Sequence, residues 1–404
     1  MSSIPYFAPP FLALSLAVFA FAGQRGVAAQ ELSLSSGKLS VESLAKLDHP
    51  WALAYLPDGR LLITEKPGNL RIYADGKLSE PVAGVPKVEY HDQGGLLDVA
   101  VDPNFGENGL VYLSYTEAAK QQPADAREEK DPRLGEYQDL NDTVLKGLAV
   151  ARGKLSGNRL EDVTVIWRQE LKQIGRGHFG GRLVFAPDGK LFITSGERQR
   201  FEPAQDMKSN LGKIVRINPD GSIPEDNPFV NQNGARPDIW TLGHRNPLGA
   251  AFRPGTAELW VHEMGPEGGD ELNLIEQGKN YGWPEVSEGK HYNDADIPNH
   301  SEQPALRKPD QAWVPAISPA GLIFYTGDKI KDWKGKAILG GLSSEAIIVV
   351  SFDGNKATGD EIIKMGKRVR EVVQASDGAV LLLLDGESGG DLLRLAPADE
   401  AEAG

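Results

Sequence analysis

The chain has 404 residues, with 43 lysines and arginines against 57 aspartates and glutamates, a formal charge of −14 at pH 7. That balance argues against sequence-independent nucleic-acid binding, which needs clustered cations. The 40% hydrophobic and 25% charged content is that of an ordinary globular protein. With no cysteine, disulfides and thiol catalysis are excluded, and a zinc site would rest on histidine and carboxylate ligands alone.

The N-terminus reads as a targeting segment. Phe11 to Gly23 is an apolar run too short to span a bilayer as a helix. Val27-Ala28-Ala29 offers small residues of the kind a signal peptidase reads. We therefore expect residues 1–29 to be a signal peptide cleaved after Ala29, with an uncleaved membrane anchor as the alternative. Cleavage implies a periplasmic or secreted protein.

From there one pattern recurs: an apolar strand, a tight turn and a second strand. Trp51–Leu56 runs through Pro57-Asp58-Gly59 into Arg60–Thr64. Leu96–Val101 runs through Asp102-Pro103-Asn104 into Gly109–Leu113. Arg182–Ala186, Pro187-Asp188-Gly189 and Lys190–Thr194 repeat the first case. Leu248–Phe252 is followed by Pro254-Gly255 and Glu258–Val261, and Gly321–Tyr325 by Gly327-Asp328 and Lys336–Leu339. Val369–Gln374, Asp377-Gly378 and Ala379–Leu383 make the last. Proline presets the first turn dihedral, aspartate caps the turn and glycine takes positive φ, so each unit is a hairpin.

Six such units predict an all-β fold, a six-bladed β-propeller of four-stranded antiparallel blades over residues 30–397, with stacked β-sandwiches as the alternative. The largest insertion, about Ala118–Asp142, reads as a solvated excursion at a rim or lid. Residues 398–404 form an acidic tail expected to fray.

Several segments carry candidate chemistry. Gln93-Gly94-Gly95 opens an inner strand with a side chain that both donates and accepts hydrogen bonds. His178 lies among glycines directly before a strand, as a general base facing a funnel or as a histidine bonded to a neighbouring loop. Glu197 ends the partner strand of that hairpin, where it would orient His178 or pair with Arg198 at the surface. Gly243-His244-Arg245-Asn246-Pro247 ends another strand and sets two unlike donors side by side. Arg368 and Arg370, two apart, would share one strand face and grip carboxylates, or form an outward basic strand. The loop Gly265-Pro266-Glu267-Gly268-Gly269-Asp270-Glu271, with Asn280-Tyr281 beyond it, offers the carbonyl and carboxylate oxygens that calcium prefers.

Together these segments, from about Leu47 to Leu395, resemble the soluble pyrroloquinoline-quinone-dependent sugar dehydrogenases, including the aldose sugar dehydrogenases. The resemblance implies a six-bladed propeller that binds pyrroloquinoline quinone and calcium and oxidises a small sugar to its lactone, with an external electron acceptor and a monomeric or homodimeric state. It implies that His178 is the general base and Glu197 its support, an aspartate in the family. Gln93, Arg245 and Asn246 would lie around the quinone carbonyls, with Arg245 stabilising charge there, and Arg368 and Arg370 would hold cofactor carboxylates. Gly265 and Pro266 would give backbone oxygens to the cofactor's calcium, and Glu271 and Tyr281 would bind a separate structural calcium. One departure stands out: Ser343 occupies the position of a cofactor-binding lysine. Lys336 or another side chain then supplies the charge, or the quinone is held weakly or not at all. A calcium-dependent lactonase and a non-catalytic binding propeller are the competing readings.

Overall fold

The computed structural model describes residues 30–34 and 37–398. The signal-peptide segment and residues 399–404 of the acidic tail lie outside the described residues. All but a few short helical turns of the regular structure is β.

Six antiparallel sheets follow one another along the chain and form a ring. The innermost strands are Pro50–Tyr55, Leu96–Val101, Gly180–Phe185, Pro247–Phe252, Pro319–Phe324 and Arg368–Gln374, each packed against its neighbours around the axis. They open blades one to six, and they are the first strands of the six hairpins read from the sequence. Five blades have four strands, as expected. The sixth has five, because its outer part comes from the other end of the chain: Gly37–Leu47 pairs with Gly390–Pro397, and Gln30–Leu34 lies outside it. This pairing closes the ring with backbone hydrogen bonds and seats Leu39 and Val41 in one cluster with Leu393 and Leu395.

The turns obey the chemistry of their residues. At Pro57-Asp58-Gly59 the glycine takes φ +89°, its N–H reaches Leu56 O at 2.9 Å, and the Asp58 carboxylate accepts from Arg60 N at 3.1 Å. Second strands such as Leu61–Glu65 and Leu191–Ser195 are buried along their whole length, because each blade is covered by its neighbours on both faces. Outer strands such as Arg159–Arg168 are mostly exposed, and their apolar signal is correspondingly thin.

Every innermost strand slips register against its partner near its start: between Pro50 and Ala52, Leu96 and Val99, Gly180 and Leu183, Pro247 and Gly249, Ala320 and Leu322, and Val369 and Glu371. A bulge re-aims the side chain it contains. The residues so displaced include Trp51, Arg182, Leu248 and Arg370.

Arg182 is the hub that results. From blade three its guanidinium meets Asp98 of blade two at 3.2 Å, Glu371 of blade six, and the Leu248 carbonyl of blade four at 3.1 to 3.2 Å. It also lies 4.5 Å from the centre of the Trp51 ring of blade one. Burial pushes the Glu371 carboxyl up to about 7 against the pull of Arg182, and raises Asp98 as well. Replacing Arg182 with methionine leaves two buried carboxylates facing each other without a cation, which costs about 3–5 kcal/mol. Protonation relieves both acids, so the deficit measured by denaturant unfolding against the wild type is larger at pH 8 than at pH 5.

Candidate functional site

One mouth of the ring opens into a cavity of about 690 Å³. Blade-to-blade loops and the ends of inner strands build its wall.

His178 stands on that wall at the entry to blade three. Its backbone takes φ +51°, uncommon for a residue with a side chain. Neighbouring contacts hold it there. Its N–H donates to Gln93 Oε1 at 2.9 Å, and its carbonyl accepts from Arg198 N at 3.1 Å. Gly196 packs so closely on that carbonyl that any side chain at 196 would collide with it.

Glu197 fixes the imidazole. One carboxylate oxygen bonds His178 Nδ1, and the other accepts from the N–H groups of Arg200 and, at 2.8 Å, Phe201. Burial opposes ionisation of Glu197, but His178, Arg245 and the Phe201 N–H outweigh it and hold it below the usual carboxylate range. Burial, reinforced by Arg245 and opposed by Glu197, pushes His178 down to about 4. At neutral pH the ring is therefore uncharged. With Nδ1 turned to Glu197, Nε2 is the nitrogen left to accept a proton.

Arg245 lines the same cavity, near enough for its charge to act on His178. Its guanidinium donates to the carbonyls of Met264, at 3.0 Å, and Gly265, and to the Tyr292 hydroxyl at 3.0 Å. Its buried Nε has no partner among the described residues, a donor left for a ligand. Behind it, Glu263 accepts from Arg245 N at 2.5 Å and bonds His244 Nδ1 at 2.8 Å. Asn246 sits beneath the surface instead of on the wall: its amide oxygen accepts from Gly180 N at 3.3 Å, tying blade four to blade three.

Arg368 and Arg370 both line the cavity on the side of blade six. The bulge between Val369 and Glu371 breaks the strict alternation that was expected to put them on one face, yet both reach the same space. They share Asp385, which bonds Arg370 at 2.5 and 3.1 Å and lies 3.6 Å from Arg368. Burial opposes ionisation of Asp385, but Arg370 overcomes it and pulls the carboxyl to about 2. Ser343 lines the same cavity and donates to Ala316 O at 3.4 Å; Lys336 is not among the lining residues.

The Gly265-Pro266 backbone is held by Asp270, whose carboxylate accepts from Gly265, Ile317 and Ser318. The Gly265 carbonyl already takes the Arg245 guanidinium. Glu271 and Tyr281 meet elsewhere, around a space of about 10 Å³ that Glu263, Gly265, Gly269 and Ser287 also line. That is room for one water-sized particle. Burial, and next to it the charge of Glu263, push the Glu271 carboxyl well above its ordinary value; among the described residues no cluster of three or more metal-ligating side chains forms. The Tyr281 hydroxyl is spent on Leu274 O at 2.6 Å and Glu276 N at 2.9 Å, and its carbonyl bonds His300 at 3.1 Å.

Sequence reasoning passed over several wall residues. Lys66 follows the second strand of blade one and Asp385 ends that of blade six, without any motif. Tyr137 and Tyr292 come from two insertions, residues 119–145 of blade two and 276–310 of blade four, and their rings meet at 4.3 Å. Arg133 pins the first insertion to Glu202 at 2.7 Å and lies 3.8 Å from the centre of the Phe201 ring.

The donor set fits a planar, oxygen-rich polyanion. Arg245 from blade four and Arg368 and Arg370 from blade six line the cavity, Trp51, Leu248, Met264 and Leu342 supply apolar wall, and the Arg245 Nε has no partner among the described residues.

Comparison with known proteins shows the family. The glucose/sorbosone dehydrogenase family matches residues 47–394. The aldose sugar dehydrogenase YliI of Escherichia coli strain K12 is 41% identical over 360 residues, 87% of this chain and 91% of that protein. The crystal structure of the apo-form of the Escherichia coli soluble aldose sugar dehydrogenase superposes with a TM-score of 0.79 at 39% identity, covering 89% and 99% of the two chains. The PQQ-bound aldose sugar dehydrogenase of Streptomyces coelicolor gives a TM-score of 0.66 at 25% identity, covering 89% and 98%. The chain belongs to the glucose/sorbosone dehydrogenase family.

Proposed function

We propose that this oxidoreductase uses pyrroloquinoline quinone to oxidise aldose sugars to lactones, passing the electrons to an external acceptor. The observation that carries the reading is a buried histidine, oriented by a buried carboxylate, on the wall of a cavity lined by arginines. When bound, the quinone supplies the hydride acceptor.

The chain's own residues account for the rest. His178 Nε2 takes the proton of the sugar hydroxyl. Glu197 keeps the imidazole turned and stabilises the imidazolium that forms, at no cost of reorganisation. Arg245 directs positive charge and its spare Nε–H toward the oxygens of the anion, and Arg368 and Arg370 hold its acidic groups. The exposed ring of Tyr137, beside Tyr292, offers a flat face at the mouth for a sugar ring.

Calcium belongs to the same proposal. The small space between Glu263 and Glu271 fits one cation in size and charge. At Gly265 and Pro266 the chain offers carbonyls alone, one already shared with Arg245, so a cation there would draw its other oxygens from ligand and water. We also propose that residues 1–29 are a cleaved leader and that the enzyme works in the periplasm or outside the cell, on the strength of the apolar run and Val27-Ala28-Ala29.

His178→Asn should lower turnover of aldoses about 10²–10⁴-fold while absorbance titration shows the quinone still binding. Intact quinone binding with undiminished turnover would remove His178 from the mechanism. Because the base is active when uncharged, the acid limb of kcat/KM in the wild type should lie well below the 6.5 of a free imidazole, toward the His178 value of about 4. Stripping calcium with a chelator should lower the thermal midpoint by several degrees, with recovery on re-addition; calcium at 100 times its Kd adds about 2.7 kcal/mol. Glu271→Gln should abolish that response.

A further inference from the structure

Lys66 follows the second strand of blade one, next to blade six around the ring. Its backbone is clamped: its N–H donates to His49 O at 3.0 Å and its carbonyl accepts from Leu96 N at 2.9 Å. Gly95 lies against that carbonyl so tightly that no side chain would fit there. The direction of the lysine is therefore set by the fold, and its half-buried side chain lines the cavity.

The ammonium group is poorly compensated. It donates to the Asp92 carbonyl, a neutral acceptor, at 3.3 Å. Burial and then the positive charge of Arg370, with Arg368 adding, lower its pKa against the pull of Asp385 and Asp92. Both acids are otherwise engaged. Asp385 bonds Arg370 and lies near Arg368, and Asp92 meets Arg176 at 3.3 Å. Glu387, exposed, also lines the cavity. Lys66, Arg368 and Arg370 thus cluster around one shared carboxylate, Asp385. Half-buried cations crowded together cost free energy unless an anion joins them. Ser343, on the wall of the same cavity, brings no charge.

We propose that Lys66 is a cofactor-binding residue that, together with Arg368 and Arg370, takes a carboxylate of the bound quinone and supplies from blade one the charge that Ser343 does not. This rests on the reading of the cavity as a quinone site, and it assigns the acidic end of the ligand to the blade-six side, away from His178.

The test is equilibrium titration of cofactor-free wild type, Lys66→Gln and Lys66→Arg with pyrroloquinoline quinone in calcium buffer, read by absorbance and by thermal shift. Lys66→Gln should weaken binding more than about fivefold, as loss of a charge-assisted contact does, and Lys66→Arg should stay within about fivefold of wild type. The cofactor-free midpoint of Lys66→Gln should equal or exceed that of wild type, since a crowded cation is gone, which separates lost binding from lost folding. Less than a fivefold change in Lys66→Gln, or an equal loss in Lys66→Arg, overturns the role of the lysine charge. A wild type that binds no quinone overturns the reading of the cavity itself, a different and distinguishable failure.

Discussion

A single buried guanidinium ties five of the six sheets to one axis. Arg182 satisfies its donors on three other blades and its face on a fourth, so those neighbours cannot shift without leaving a charge unpaired in the interior. An unpaired buried charge is far more costly than a lost apolar contact. His262 extends the tie, bonding the Gly321 carbonyl of blade five at 2.8 Å. Trp51 and Leu248, which touch this hub, also line the cavity.

The bulges make that wall. A regular strand alternates its side chains across the two faces of a blade, where they meet neighbouring blades and not the channel. The register slip at the start of each inner strand turns residues such as Trp51 and Arg370 toward the axis. Loops entering the strands supply the rest, His178 and Arg245 among them. Backbone and buried carboxylates fix these side chains from behind: Glu197 for His178, Glu263 for the Arg245 backbone, Asp385 for the arginine pair. Division of labour follows from charge. On one side a neutral imidazole can accept a proton because burial and Arg245 keep it uncharged. On the blade-six side Lys66, Arg368 and Arg370 gather near the one carboxylate of Asp385.

Much of this could be read along the chain. The hairpin units were visible because second strands are buried on both faces and appear as continuous apolar runs, punctuated by Pro-Asp-Gly. The pairing of His178 with Glu197 was visible because an antiparallel hairpin brings its own ends together. Outer strands such as Arg159–Arg168 were faint, since exposure removes the apolar pattern. Asn246 stood beside Arg245 in sequence but turned beneath the wall, because neighbouring residues at a strand end point in different directions.

Local order alone determined the hairpins, their number and hence the propeller, and the pairing of His178 with Glu197, since turn chemistry and side-chain period act over a few residues. Tertiary structure decided the ring closure between Gly37–Leu47 and Gly390–Pro397, the meeting of Arg182 with Asp98 and Glu371, and the arrival of Lys66 beside Arg368 and Arg370. Those contacts join residues tens to hundreds of positions apart, and only the closed ring, which brings the first blade against the last, sets their charges within reach of one another.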